Sequence, residues 1–196
     1  MPTAQALPAR EALFEVLREK SFKTGDFTLA SGKKSNYYID CRLTTLDPAG
    51  ACLVGAAMRE LVRSECLDRG IEVSGVGGLT LGADPIALAT AIASHQAGDA
   101  PALRPFVVRK EPKGHGRGRQ IEGGFAEGDC VVALDDVITT GGSTLQAIEA
   151  IEREGGKIAF VAVLVDRQEG GRENIEGAGY PVAALFTRDE LLAGQA

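Results

Sequence analysis

The sequence has no Cys-x-x-C pair, only two histidines, no long apolar run and no excess of positive charge. Each absence removes a class of function. The four cysteines (Cys41, Cys52, Cys66 and Cys130) are scattered, each in or beside an apolar stretch. Buried free thiols are therefore expected rather than a disulfide framework. Two histidines without a Cys/His cluster argue against a metal centre built from protein ligands at His115. No stretch approaches the roughly 18–20 apolar residues of a membrane span, and the opening MPTAQALPAREALFEVL lacks a basic start followed by an apolar run. No membrane partner and a cytoplasmic location are expected. The formal net charge of −6 argues against a nucleic-acid partner, whose affinity would rest on neutralising phosphates. No repeat, low-complexity tract or linker divides the 196 residues. A single domain over 1–196 is expected, with about the first 45 residues forming a small hood.

What is present is an ordinary apolar and charged content with an unusual 25 glycines, which point to tight loops or loops that approach a ligand. Residues 9–20 carry Leu13, Val16 and Leu17 at helical spacing. Residues 27–40 read as a hairpin-like element, with Ser31-Gly32 turning and Tyr37, Tyr38 and Ile39 returning. Asp47-Pro48 caps and opens a long helix to about Cys66. Strands are then predicted at 71–76, 103–108, 129–134 and 158–165, with helices at 84–94 and 143–154. Strands separated by helices imply an α/β fold with a mainly parallel sheet. The stretch between Val108 and Asp129 shows no apolar periodicity, and a loop that long is usually functional. Within it, residues 109–119 hold a local charge of +4 before His115 is counted.

The most informative run is Asp135-Asp136-Val137-Ile138-Thr139-Thr140-Gly141-Gly142-Ser143. It follows the apolar Cys130-Val131-Val132-Ala133-Leu134 and leads into a helix. In open α/β sheets, ligands bind beyond the carboxyl ends of strands. A glycine-containing turn into a helix offers unpaired N–H groups and the positive dipole end to a phosphate. Carboxylates just upstream suit vicinal sugar hydroxyls, or an assisting magnesium ion. Together the parts fit a ribose 5-phosphate. A plain strand and capped helix, with Asp136 or Ser143 as the cap, is the bland alternative. A nucleoside-triphosphatase strand would need a G-x-x-x-x-G-K-[ST] partner. Residues 77–82 have the glycine spacing but continue Ala83-Asp84. Residues 75–80 end on Thr80 and do not complete a dinucleotide fingerprint.

This run resembles the PRPP-binding signature of the type I phosphoribosyltransferases, and three further segments resemble the orotate phosphoribosyltransferases among them. Arg109-Lys110-Glu111-Pro112-Lys113-Gly114-His115-Gly116 looks like their mobile catalytic loop. Cations on such a loop stabilise the charge that grows on departing pyrophosphate. Residues 27–40 resemble the family segment whose aromatic pair covers the orotate ring, here Tyr37 and Tyr38. Ala30 stands where some members have a ligand-binding lysine. Residues 76–86 look like the pyrophosphate-side loop, with Leu81-Gly82 where some members have Tyr-Lys, which leaves backbone amides for the pyrophosphate. Asp84 is a candidate cap there, with Pro85 at the first helical position. Arg167, in Asp166-Arg167-Gln168-Glu169, matches the arginine that forks onto the orotate carboxylate.

The resemblance implies the type I fold and a magnesium-dependent transfer of phosphoribose from PRPP to orotate, giving orotidine 5′-monophosphate and pyrophosphate in pyrimidine (UMP) synthesis. It also implies a homodimer in which the loop of one subunit completes the partner's site. Asp135 and Asp136 would hold the ribose diol, directly or through Mg²⁺ and water. Residues 137–143 would cradle the 5′-phosphate. Arg109, Lys110, Lys113 and His115 would meet the pyrophosphate, with Lys113, His115 and Asp136 as the catalytic set. Thr139, Arg167, Tyr37 and Tyr38 would bind orotate. A purine or uracil phosphoribosyltransferase would share the PRPP loop without needing residues 109–116 or Arg167. A PRPP-sensing regulator would call for a nucleic-acid surface that the acidic chain does not offer.

Overall fold

The computed structural model describes residues 8–28, 34–112 and 119–193. In chain order the elements are α1 (Ala9–Lys20), β1 (Phe22–Thr28), β2 (Lys34–Ile39), α2 (Arg42–Thr45), α3 (Pro48–Arg69), β3 (Gly75–Leu79), α4 (Ala83–Gln96), β4 (Arg104–Val108), β5 (Ile121–Gly123), β6 (Cys130–Ile138), α5 (Gly142–Arg153), β7 (Lys157–Asp166), α6 (Gly171–Gly177), β8 (Val182–Thr187) and α7 (Arg188–Ala193). Six strands form one sheet in the order β5-β4-β3-β6-β7-β8, parallel except for the β4–β5 pair. The first two strands form a separate antiparallel hairpin.

Period-two alternation along the inner strands divides the core. On β6, Val132 and Leu134 join the cluster built by α1, α3 and α4, whereas Val131 and Ala133 join that of α5 and α6. Helices therefore cover both faces, as a buried parallel sheet requires. Leu13 and Leu17 of α1 are wholly enclosed, and each such side chain contributes about 1.5–3 kcal/mol relative to exposure.

The long helix α3 starts as its sequence dictates. The Asp47 carboxylate accepts the Gly50 N–H at 2.9 Å, and Pro48 occupies the first turn. It runs past the expected end to Arg69 and stops at Gly70.

Several boundaries differ from the sequence-based expectations. The strand predicted at 71–76 lies at Gly75–Leu79. Its inner residues are Gly77 and Gly78, where a Cβ would sit 2.2 Å from the Phe106 carbonyl oxygen and 2.0 Å from that of Leu134. Close approach of both neighbours excludes the β-branched residues that would have revealed the strand. The stretch between Val108 and Asp129, read as a loop, contains the short edge strand β5. Helix α4 begins at Ala83, so Asp84 and Pro85 lie inside its first turn rather than at the cap and first position. Cys41 and Cys66 are buried, but Cys52 is exposed and Cys130 half-buried. Among the described residues, no helix is long and apolar enough to cross a membrane.

Candidate active site

The site begins as a notch in the sheet. Strand β6 pairs with β3 only from Gly75↔Val131 to Gly77↔Ala133, while its pairing with β7 continues to Ile138↔Asp166. Beyond Ala133, β6 therefore has a ladder partner on one side only. The chain leaves β3 through α4 towards β4, and leaves β6 through α5 towards β7. The connections diverge at this point, which opens a crevice outside the carboxyl ends.

Asp135 and Asp136 line that notch from within β6, not from a loop after it. Alternation sends them to opposite faces. Asp135, 8% exposed, accepts the Thr144 hydroxyl at 2.7 Å and the Asp136 N–H at 3.0 Å. The Asp136 carboxylate accepts the Val137 N–H at 3.0 Å. Burial raises the pKa of both acids. For Asp135 the negative charge of Asp136 adds to the rise, and for Asp136 the field of Arg42 opposes it. Among the described residues neither acid makes an ion pair.

Gly82, in the β3–α4 loop, faces these acids. A Cβ there would lie 2.4 Å from Asp136 Oδ1 and 3.4 Å from Asp135 Oδ1. Any side chain at this position would displace the Asp136 carboxylate, so the absence of a lysine has a steric reason. Asp84, two residues on, is shifted upwards by burial, and its Oδ1 is buried without a hydrogen-bond partner among the described residues.

The turn after β6 carries Thr139, Thr140 and Gly141 into α5. Gly141 occupies the N-cap with φ 80°, and no side chain caps the helix. Neither Asp136 nor Ser143 acts as a cap. The first-turn amides of an uncapped helix lack intrahelical acceptors and remain available to an anion. Gly142 and Ser143 are exposed there, Val137 and Thr139 are half-buried, and Ile138 is buried in the core beneath. The turn is fixed from behind: Asn174 donates to the Thr140 carbonyl at 3.0 Å, and Gly171 passes so close that a Cβ would lie 2.6 Å from the Thr139 carbonyl.

Beside the notch, a cleft of about 980 Å³ is lined by Lys34, Tyr37, Thr140, Glu169 and Arg188, among others. The structure brings Arg167 against Tyr37 at its wall. Arg167 Nε lies 3.3 Å from the Tyr37 hydroxyl, and its guanidinium sits 5.2 Å from the ring centroid. Arg167 Nη2 also pairs with Glu169 at 2.8 Å. Tyr37 is buried and stacks on Phe22 at 5.8 Å. Tyr38 points to the other face of β2, is 41% exposed, and packs on Phe27 at 5.7 Å. It borders the cleft only through Phe27, which lines it.

The base of the basic loop is anchored at both ends. The Arg109 N–H donates to the Gln120 carbonyl at 2.9 Å, and Gln120 Nε2 returns to the Arg109 carbonyl at 2.7 Å. Gln146 of α5 donates to the Lys110 carbonyl at 3.2 Å. The Arg109 guanidinium lies 3.6 Å from Glu122, and Lys110 is exposed. Lys113 and His115, like Ala30 and the Ser31-Gly32 turn, lie outside the described residues.

Sequence reasoning missed Glu169, Arg188, and Gln120 with Gln146. Glu169 stands two residues after the arginine that was read as a ligand. Arg188 follows β8, a strand that went unread, and reading it would have put Arg188 at a carboxyl end. The glutamines carry no sequence signal, because their role comes from loop and helix meeting in space.

No family model matches the chain. The orotate phosphoribosyltransferase of Aquifex aeolicus is 48% identical over 186 residues, covering 93% of this chain and 97% of that protein. The orotate phosphoribosyltransferase of Rhodopirellula baltica is 45% identical over 175 residues, covering 89% and 90%. The crystal structure of the Mycobacterium tuberculosis orotate phosphoribosyltransferase in complex with PRPP superposes with a TM-score of 0.76 at 36% identity, covering 94% of this chain and 99% of that one.

Proposed function

The chain belongs to the orotate phosphoribosyltransferase family, and we propose that the notch and the adjoining cleft carry out the family reaction with the residues assigned below. The enzyme transfers the 5-phosphoribosyl group of PRPP to orotate, giving orotidine 5′-monophosphate and pyrophosphate in pyrimidine (UMP) synthesis. The assignment rests on a buried and a half-buried acid without a cationic partner among the described residues, set beside an uncapped helix start in one crevice.

Asp135 and Asp136 hold the ribose hydroxyls, which can donate to acids that have few other donors. The amides and hydroxyls of residues 137–143 take the 5′-phosphate. Arg109, Lys110, Lys113 and His115 meet the pyrophosphate, where charge grows as the C1–O bond breaks. Arg167 takes the orotate carboxylate, Tyr37 and Tyr38 border the ring, and Thr139 reaches it from the PRPP loop.

Among the described residues no cluster of three or more acids, cysteines or histidines could hold a metal alone. That donor set fits Mg²⁺, which keeps several waters and binds through one or two carboxylates plus substrate oxygens. Asp135 and Asp136 would hold it through water and PRPP, and it would supply charge neutralisation at the pyrophosphate. A homodimer with shared sites is supported by exposed Leu81, Leu88 and Ile92 on and before α4, with Leu43 and Leu46 near the start of α3. The chain is further proposed to act as one domain, in the cytoplasm, without nucleic-acid or membrane partners.

The test is ultraviolet loss of orotate with PRPP and Mg²⁺, with uracil and hypoxanthine as controls. Orotate alone should be consumed. Lys113→Ala should lower kcat by about 100-fold or more with a smaller effect on PRPP affinity, because the charge it meets develops in the transition state. A kcat near wild type would remove Lys113 from the catalytic set.

A further inference from the structure

We infer that Glu169 is an internal stand-in for the substrate carboxylate, a residue that sets orotate affinity and product release by competing for Arg167. This rests on the reading above that Arg167 takes the carboxylate of orotate. One Glu169 oxygen, Oε1, receives two donors at once: the Tyr37 hydroxyl at 2.8 Å and Arg167 Nη2 at 2.8 Å. Tyr37 in turn receives Arg167 Nε at 3.3 Å, which fixes the guanidinium plane over its ring. An arginine fork held in this way is the seat expected for a planar carboxylate. The Glu169 carboxylate already occupies part of that seat, through Oε1 on Arg167 Nη2.

The exposures fit an exchangeable partner. The Arg167 side chain is 12% exposed and that of Glu169 is 37% exposed. The cation is therefore the fixed, enclosed member and the acid the outer one. Glu169 and Tyr37 line the cleft, so the charge of Arg167 reaches the cleft already paired. The backbone around the acid is shaped rather than loose. Gln168 adopts φ 56°, its N–H donates to Asp166 at 2.8 Å, and its side chain accepts the Asp189 N–H at 3.1 Å. Lys34 and Arg188 line the same cleft with Asp26, so a displaced Glu169 carboxylate has two cations within the cleft to turn to, although Arg188 also pairs with Asp189.

An arriving orotate exchanges one carboxylate for another. The exchange keeps Arg167 paired throughout, which avoids the cost of an enclosed, unpaired cation. It also weakens orotate binding by the strength of the internal pair. Orotidine 5′-monophosphate carries the same carboxylate, so Glu169 helps expel it by the same amount.

Glu169→Gln tests this, because glutamine keeps an oxygen for the Tyr37 hydroxyl and removes the charge. With PRPP saturating, KM for orotate and the inhibition constant of orotidine 5′-monophosphate should fall together by about three- to tenfold, the size of a partly exposed ion pair. Inhibition by uridine 5′-monophosphate, which lacks the carboxylate, should be unchanged, and kcat should fall if release is limiting. Glu169→Ala should move the first two constants in the same direction. A rise in KM for orotate in both variants, or an equal shift for uridine 5′-monophosphate, overturns the inference. Arg167→Lys separates the two levels. If it raises KM for orotate while Glu169→Gln does not lower it, only the stand-in role fails. If it leaves KM for orotate unchanged, the carboxylate seat itself is wrong and the inference goes with it.

Discussion

The carboxyl ends of β6 and β7 lie side by side and treat charge in opposite ways. At the end of β6, buried Asp135 and half-buried Asp136 have no cation paired to them among the described residues, and their pKa values are raised. At the end of β7, Arg167 is enclosed and engaged by Tyr37 at Nε and by Glu169 at Nη2. The first region stores an unmet demand for hydrogen-bond donors and positive charge, which under the proposed function sugar hydroxyls and an assisting ion would supply. The second has its demand met internally and gains a ligand only by exchange. Uncompensated charge creates affinity at the cost of stability, whereas compensated charge leaves stability intact and tunes affinity.

The sharpest way to break this comparison is Asp136→Asn. It keeps the shape and removes the acceptor charge, so kcat/KM for PRPP should fall by about 100-fold, the worth of one or two charged hydrogen bonds. A fall of less than about threefold in steady-state kinetics would mean that the acids do not hold the sugar. A smaller effect is expected from Gly82→Ala. Its Cβ would sit 2.4 Å from Asp136 Oδ1, so the carboxylate must swing away. KM for PRPP should rise by about tenfold with little change in Tm, because the atom displaced is a side-chain tip rather than backbone. Equal losses in Tm and activity would instead point to damage in the β3–α4 loop.

The smallest effect concerns stability. A buried acid with a raised pKa binds more protons folded than unfolded as pH climbs above its ordinary 3.8. The slope of stability with pH is then negative. The contribution of Asp135 is favourable below that value and is lost as pH rises through the shifted one. Asp135→Asn should therefore raise Tm at neutral pH by about 2–6 °C while abolishing the pH dependence from this site. The Arg167 region offers the contrast, since Glu169→Gln should leave Tm within about 2 °C. Thermal scans of the free enzyme from acidic to neutral pH would read both, and a Tm for Asp135→Asn below wild type would show that its acid is compensated after all.

Legibility varied with the kind of signal. Helix α1 was read at its observed bounds because apolar spacing is local, and α3 because Asp47-Pro48 is a local start signal. Strand β3 was misplaced because its residues answer to neighbours: Gly77 and Gly78 make room for Phe106 and Leu134. The Asp135 to Ser143 run was legible as acids and a turn between strand and helix, since order along the chain is what makes these elements. That Tyr37 and Tyr38 diverge follows from alternation, but which of them faces Arg167 does not.

The sequence alone determined the α/β class, the glycine turn into a helix, the acid pair and the arginine that completes a resemblance to the orotate enzymes. These are contiguous patterns, and local chemistry is enough to specify them. The tertiary structure decided that β6 outruns β3 to open a notch, that Gly82 yields to Asp136, and that Glu169 meets Arg167 beneath Tyr37. Such facts depend on register and on elements distant along the chain, the farthest being Tyr37 and Glu169 with a separation of 132. Only the folded sheet brings them within hydrogen-bond reach.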